Sequence, residues 1–532
     1  MTALFKKFQL ALFSILFQFG SVCLLTGATY YVDPINGDIN NSGAVNHPWD
    51  TLEQVFRNKK TIAASDTLYL LNGHHGSATI RGMNADYVAI LALANHQPSL
   101  NKIIFTFAAK WKLSGVTISP ETAPVYSQTT LLTIYDSASE IIVENCNFYS
   151  VKNSAPWSKS EWVAKSCNGA SVKGDKNVIR DNHFLNVKHG ILVESTAEHN
   201  LIEHNVIENF SADGMRGIGS YNTFQYNTVK NCYKVDNNHD DGFQSYSYSS
   251  EGAGKTTVYE IILRGNTIIN NVDPDQKFKG PLQAIGCFDG MFEDWVIENN
   301  VIITDHWHGI TLKGARNCKI INNTVVDMNA SSPGPPWIRI SAHKNGTKSS
   351  NNIIRNNLTT SLSNDANIGE VDFNLIVTNY DAFFVDYENF DLRLKKGCRA
   401  IDAGTNEEAP PIDIIGTTRP QGDGYDIGAY EYVEPTAVLN KAMKKPTTFK
   451  LYNYPNPFNS YTIIKYHLPG ASPVELSIYS LLGKKVATLV HEYQCAGEYR
   501  VQFNADNLAS GLYFFKMKAC GVEQLRKMIL QK

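Results

Sequence analysis

Leu201-Ile202-Glu203-His204-Asn205-Val206-Ile207 and, 22 residues later, Thr223-Phe224-Gln225-Tyr226-Asn227-Thr228-Val229 present one setting twice: an apolar stretch, an asparagine, then a resumed strand-like run. Reading outward, the asparagine series is Asn147, Asn182, Asn205, Asn227, Asn266, Asn300, Asn323 and Asn357, with spacings of 35, 23, 22, 39, 34, 23 and 34 residues. The unit is near 22 residues, lengthened in places by a dozen or more. A fixed period of this size means stacked supersecondary units, because one unit cannot bury its apolar face alone. An Asn at the same turn of each unit hydrogen-bonds backbone and its neighbours above and below, and tolerates the left-handed conformation of a tight corner. The dense Leu pattern of a leucine-rich repeat is absent, and β-branched residues dominate instead.

A second register runs beside the first. His189-Gly190-Ile191-Leu192-Val193-Glu194 is followed by Asp213-Gly214-Met215-Arg216-Gly217-Ile218, then by Asp241-Gly242-Phe243-Gln244-Ser245-Tyr246. Gln283-Ala284-Ile285-Gly286-Cys287-Phe288, His308-Gly309-Ile310-Thr311-Leu312-Lys313 and Trp337-Ile338-Arg339-Ile340-Ser341 complete it. Strand side chains alternate between faces. Ile191, Val193, Met215, Phe243, Ile285, Cys287, Ile310, Leu312, Ile338 and Ile340 therefore point inward. Arg216, Gln244, Tyr246, Phe288, Thr311, Lys313 and Arg339 point outward from successive rungs of one sheet.

Ahead of the coils, Tyr30-Tyr31-Val32-Asp33-Pro34 and Pro48-Trp49-Asp50-Thr51-Leu52 lead into a short helix over residues 52–58, placed to cover the exposed end of a parallel sheet. Together, coils, cap and Asn series resemble the pectin-lyase-like right-handed parallel β-helix superfamily over roughly residues 30–432. The segments Asp391-Leu392-Arg393-Leu394, Ala400 to Gly404 and Asp426 to Tyr432 resemble the closing part of such proteins. The late acids Asp402, Asp413 and Asp426 are expected to cap turns.

The two ends carry address signals. Lys6 and Lys7 precede an apolar run from Phe8 to Leu25, and Thr26-Gly27-Ala28 supplies small residues, which reads as a signal peptide over 1–28. No other apolar span is long enough to cross a membrane. A body over 29–434 is followed by a Lys- and Pro-bearing linker over 435–447. Beyond it lie alternating strands at 461–467, 474–479, 498–503 and 512–517, the pattern of a small Ig-like β-sandwich over 448–532. Tyr454-Pro455-Asn456-Pro457-Phe458, Ile478-Tyr479 with Leu482-Gly483, Leu508 to Tyr513 and the terminal Lys527 to Lys532 resemble the C-terminal sorting domain of type IX secretion. That resemblance implies the type IX machinery as partner and a secreted or cell-surface location. The whole is an all-β chain, expected as a monomer. A net charge of −3 leaves no nucleic-acid footprint. Its cysteines are scattered without metal-ligand spacing: Cys287 and Cys318 read as buried free thiols, and Cys495 and Cys520 as a potential bridge.

The flat outer sheet of such a solenoid, walled by insertions at 150–165, 248–257, 271–281 and 328–336, suits an extended polysaccharide. Trp157, Trp162, Trp307 and Trp337 lie in or beside those insertions as candidate sugar platforms. The densest polar cluster is Asn237-Asn238-His239-Asp240-Asp241, one coil after Asp213. Adjacent carboxylates raise one another's pKa or are neutralised by a cation. The candidate catalytic set is Asp213, Asp240, Asp241, His308, Lys313 and Arg216. The candidate substrate contacts are His239, Gln244, Tyr246, Phe288, Trp307 and Arg339, and the three aspartates are the candidate Ca2+ ligands.

Polygalacturonases of this fold place an Asp, an Asp pair, a Gly-His-Gly and an Arg-Ile-Lys on successive coils. Asp213 and Asp240/Asp241 fit the first two positions. Gln283 stands where the His belongs, His308-Gly309 comes one coil late, and Arg339-Ile340-Ser341 lacks the Lys, for which Lys313 is the substitute. The basic residues on the outer sheet favour a secreted enzyme acting on a uronic-acid glycan, and the absence of that His and Lys favours β-elimination over inverting hydrolysis. The alternatives are a hydrolase using the three aspartates, an epimerase, and a surface adhesin without catalysis.

Overall fold

The computed structural model describes residues 27–329, 331–434, 450–454, 456–459, 461–468, 472–481, 484–494, 497–505, 508–519 and 522–531. The signal-peptide residues 1–26, the linker 435–447 and the Cys495–Cys520 pairing lie outside the described residues, as do Pro455, Leu482 and Gly483 of the sorting-domain pattern.

The coils wind into three parallel sheets of a right-handed β-helix. The sheet carrying the polar cluster passes through Thr130–Ile134, Asn168–Val172, Ile191–Val193, Asp213–Gly217, Asp241–Tyr246, Gln283–Asp289, His308–Lys313 and Trp337–Ser341. Its register is the one read from sequence: Met215 pairs with Phe243, Phe243 with Ile285, Ile285 with Ile310, and Ile310 with Ile338. These side chains are at most 1% exposed, within one continuous apolar core. At the N-terminal end the helix Leu52–Arg57, capped by Thr51 Oγ1 accepting from Gln54 N–H, adds Leu52 and Val55 to that core.

The asparagine ladder is present, with three differences from the sequence reading. In each rung the Asn N–H and Nδ2 both donate to Oδ1 of the Asn one coil on, from Asn182 through Asn205, Asn227, Asn266, Asn300, Asn323 and Asn357 to Asn374. Asn147 is not a rung: it pairs with His183, and the ladder position on its coil is Cys146, whose N–H donates to Asn182 Oδ1. The left-handed residue is not the ladder Asn but the one before it, as at Asp181, His204, Tyr226 and Asn299. Two shorter ladders, Asn177–Asn200–Asn222 and Asn186–Asn209–Asn231, run at other corners.

The closing segment folds back along the helix. Leu392, Leu394, Ala400, Ile427 and Ala429 bury against Val301, Ile303, Val326 and Leu358 on the outer side of another sheet. The late acids serve turns there: Asp413 Oδ1 accepts from Ile415 and Thr417 N–H, and Asp426 Oδ1 from Asp402 N–H. The C-terminal region is an antiparallel sandwich. Lys450–Tyr454, Tyr461–Leu468 and Gly497–Asn504 face Lys485–Gln494, Ser472–Ser480, Gly511–Ala519 and Val522–Leu530 over a core of its own.

Candidate functional site

What places the polar residues on the outer face is a column of small residues at the corner before each strand. A Cβ at Gly190, Gly214, Gly242 or Gly309 would meet Ile207, Val229, Ile268 or Val325 of the core at 2.3–2.8 Å. These positions face inward, and so do Met215, Phe243 and Ile310 directly after them. Two consecutive inward positions break the alternation, so the residue before each, Asp213, Asp241, Gln283 and His308, emerges on the outer side. Asp-Gly and His-Gly here answer a steric demand, not merely a turn preference.

Asp213 and Asp241 are register partners, and Asp241 pairs in turn with Gln283. Their carboxylates are nonetheless sealed: side-chain exposure is 1% for Asp213, 1% for Asp240 and 0% for Asp241. Asp213 Oδ2 is held by Arg216, whose Nε donates at 3.1 Å and whose Nη2 lies closer still. Asp240 Oδ2 sits 3.1 Å from Lys234 Nζ, yet neither of its oxygens receives a properly directed hydrogen bond. Asp241 Oδ2 is 2.9 Å from His239 Nδ1 and accepts from Gln244 Nε2 at 2.9 Å. Burial, partly offset by Lys234, pushes the Asp240 carboxyl up to about 7. Burial likewise raises Asp241, with the charge of Asp213 adding to it against the bond from His239. The hydrogen bond to Asp241 raises His239 above the usual imidazole value.

A groove of about 610 Å³ opens over this cluster, lined by His239, Gln244, Tyr246, Gln283, Phe288, His308 and Lys313 among others. Its floor is bare at Gly286, where a Cβ would lie 2.4 Å from Asp241 Oδ1 and 3.2 Å from Gln283 Oε1. Those two oxygens, with Asp213 Oδ1 and Ser245 Oγ, are buried polar atoms without a hydrogen-bond partner. Such atoms are costly unless something else satisfies them. Lys313 Nζ lies 5.4 Å over the Phe288 ring, and His308 lies against that same ring at 4.8 Å. His308 Nδ1 is held by Thr311 Oγ1 at 2.9 Å, which leaves Nε2 for a ligand. Burial first, then the neighbouring His306 and Lys313, lower His308 to about 3, so it is neutral at physiological pH.

The structure thus brings His239, Gln244, Tyr246, Phe288, His308 and Lys313 together at the groove. Asp213, Asp240 and Asp241 lie beneath or beside it, and Arg216 is committed to Asp213 with its guanidinium over the Tyr246 ring. Arg339 stands one coil beyond His308 and Lys313, over Trp337, which stacks with Trp307 at 6.2 Å. Trp157 and Trp162 are not sugar platforms: they are 8% and 0% exposed and pack with Val235 and Tyr233, joining two insertions in a small core. The aspartates do not fit a Ca2+ cage. Each faces its own basic partner, and no group of three or more His, Cys, Asp or Glu is arranged to hold a metal among the described residues. The sequence reading took Gln283 only as a departure from the hydrolase pattern and missed Gly286, whose signal is only that a glycine interrupts an otherwise bulky or charged column.

Residues 168–358 match the family described as right handed beta helix region, and residues 453–531 match the secretion system C-terminal sorting domain. The chain is a right-handed β-helix protein ending in a type IX sorting domain, which marks it for export to the cell surface or the medium. No helix among the described residues is long and apolar enough to cross a membrane. No curated protein matches the sequence. Among solved structures, the chain is similar to a GH136 lacto-N-biosidase from Eubacterium ramulus, at 12% identity over 65% of this chain and 68% of that one, with a TM-score of 0.37. It is also similar to the Dettilon tailspike protein, at 12% identity over 94% of this chain and 91% of that one, with a TM-score of 0.35. The third is XylC, solved with xylose, at 9% identity over 89% of this chain and 100% of that one, with a TM-score of 0.34. None of these likenesses informs the chemistry of the groove.

Proposed function

We propose that the chain is an exported lyase that cleaves a uronic-acid polysaccharide by β-elimination. The observation that carries this reading is the contrast in exposure: His239, His308 and Lys313 line the groove, while the three aspartates are at most 1% exposed. Asp289, the acid in the lining, is paired with Lys344 at 2.6 Å. A groove of this character accepts a polyanion and offers nitrogen bases to it.

His239, read from sequence as a substrate contact, is the group best suited to proton transfer. Its Nδ1 faces buried Asp241, which orients the ring and stabilises its protonated form, as a carboxylate does behind the histidine of a hydrolytic triad. A base with a pKa near the working pH is the efficient one. In the proposed step His239 Nε2 takes the proton from C5 of the uronate and the C5–H electron pair becomes the C4=C5 double bond. The C4–O bond then breaks, and the departing oxygen takes up a proton from water. Lys313 pairs with the uronate carboxylate, where charge develops. Neutral His308, through Nε2, hydrogen-bonds the sugar, and bare Gly286 leaves room for the ring above the sealed Asp241 carboxylate.

A second reading, hydrolysis, is favoured by the raised pKa of Asp240 and Asp241, since a protonated carboxyl is the acid a glycosidase needs. Incubation with polygalacturonate, alginate and neutral glucans separates the two. An ultraviolet-absorbing unsaturated product is expected from a polyuronate, insensitive to chelator. New reducing ends without that absorbance sink elimination and give the aspartates the acid and base roles. Binding without any product leaves a glycan-binding protein.

A further inference from the structure

We infer that the N-terminal cap carries a second binding site for the same class of ligand, an acidic polysaccharide, on the sheet face that bears the groove. A cavity of about 640 Å³ lies between the cap helix Leu52–Arg57 and the first coils, lined among others by Arg57, Lys59, Lys60 and Arg81. None of these four cations has a carboxylate within ion-pair distance among the described residues. Glu53, the acid in the lining, is turned into the wall, its Oε2 accepting from Ser77 N–H at 3.1 Å. Half-buried Phe56, backed at 5.6 Å by Trp111 of the core, supplies the apolar side that a sugar ring packs against. The cavity joins four positive charges that lack a carboxylate partner, Lys60 resting over the Trp49 ring, to the Phe56 ring, the chemistry that recognises a carboxylate- or sulfate-bearing sugar.

The register ties this cavity to the groove. Thr79, in the cavity lining, pairs with Ile104, and the same column continues through Thr133, Ser171, Leu192 and Arg216 to Gln244, in the groove lining. Those are six strand spacings of one parallel sheet, about 29 Å. Between the two ends, next to this column, Phe107 is 62% and Tyr135 40% exposed, around a further hollow of about 530 Å³. Phe107 holds a φ of 48°, unfavourable for a bulky residue, and its exposed ring lies under Arg81 at 5.6 Å. A polymer chain laid along the sheet meets the cap cations, the two exposed rings and then the groove.

The inference shares its ligand class with the lyase reading, and binding is measured apart from turnover. The full chain with Arg57→Ala, Lys59→Ala and Arg81→Ala is compared with the unaltered chain and with Lys313→Ala for calorimetric binding to polygalacturonate and to neutral dextran. The cap variant is expected to bind polygalacturonate about tenfold more weakly and with a shallower salt dependence, as loss of three unpaired charges requires. Its turnover of a short uronate oligosaccharide, which reaches only the groove, stays unchanged. Equal binding by cap variant and unaltered chain overturns the proposal, as does an equal loss on dextran. Cap-dependent binding in a chain without turnover defeats the lyase reading and leaves this one standing. Arg81→Gln, one exposed side chain, repeats the test if the triple variant fails to fold.

Discussion

The asparagine corner and the groove both bury polar side chains, and they treat them oppositely. In the ladder, Asn205, Asn227 and Asn300 are 0% exposed, and each carboxamide oxygen and nitrogen has a partner in the coil before or after. Under the groove, Asp213, Asp240, Asp241 and Gln283 each keep at least one buried oxygen with no partner at all. A satisfied buried network rigidifies a fold, and an unsatisfied one costs stability unless water or a ligand supplies the missing partner. At these two places the same solenoid holds its buried polar groups in opposite states. Substitutions test that contrast from both sides.

The largest effect is expected at His239. Its ring is largely solvent-facing, so His239→Ala should leave the melting temperature in place while lowering polyuronate turnover about 1000-fold, as loss of a positioned base does. Turnover within tenfold of the unaltered chain would move the chemistry to another residue. Asn227→Ala should do the reverse. It strands Asn205 N–H and removes the side-chain donor to the Ile202 carbonyl, while Asn205 Nδ2 keeps the Ile179 and Glu203 carbonyls, and is expected to cost about 2 kcal/mol in chemical denaturation, with turnover per folded molecule retained. A cost below about 1 kcal/mol would show that water replaces the rung.

A smaller, pH-dependent effect is expected at Asp240. Its folded pKa, about 7, lies above the unfolded value, so the fold favours the protonated form and loses stability as pH rises between the two. Asp240→Asn carries no such penalty. Denaturation at pH 8 should shift in its favour by on the order of 1 kcal/mol, reduced by the lost attraction of Lys234, and not at all at pH 4. Stabilisation of equal size at both pH values would contradict the burial argument. The smallest effect belongs to the C-terminal region, whose apolar core shares no residue with that of the coils. A chain ending at Glu434 should melt and turn over as the full chain does, and aggregation of that truncation would place the boundary elsewhere.

The coil register was legible because its signals are backbone-driven: a repeated Asn where a corner needs donors and acceptors, and inward β-branched residues at fixed intervals. Even so, Asn147 was misplaced by one position, since a lone asparagine beside an aliphatic run looks the same on a strand as on the corner rung. The site was legible as a set of residues sharing a face, not as a set of roles. Sequence alone gives no burial for a carboxylate, so Asp241 reads as an exposed acid, whereas the structure covers it with His239 and Gln244 beside bare Gly286. The aromatic residues of the insertions mislead for a related reason. Trp162 and Trp307 stand in similar polar surroundings in sequence, but Trp162 packs on Tyr233 and is 0% exposed, whereas Trp307 is 42% exposed.

The ladder has a consequence for how such a chain changes over time. Asn205 reaches Asn227 across 22 residues and Asn227 reaches Asn266 across 39, yet the N–H to Oδ1 distance is 3.0 Å in both. Extra residues leave one coil and return to the next without disturbing the stacking. The rim loops are therefore decoupled from the frame: they can lengthen, shorten or be exchanged as cassettes, redrawing what the groove admits while the scaffold beneath inherits its geometry intact.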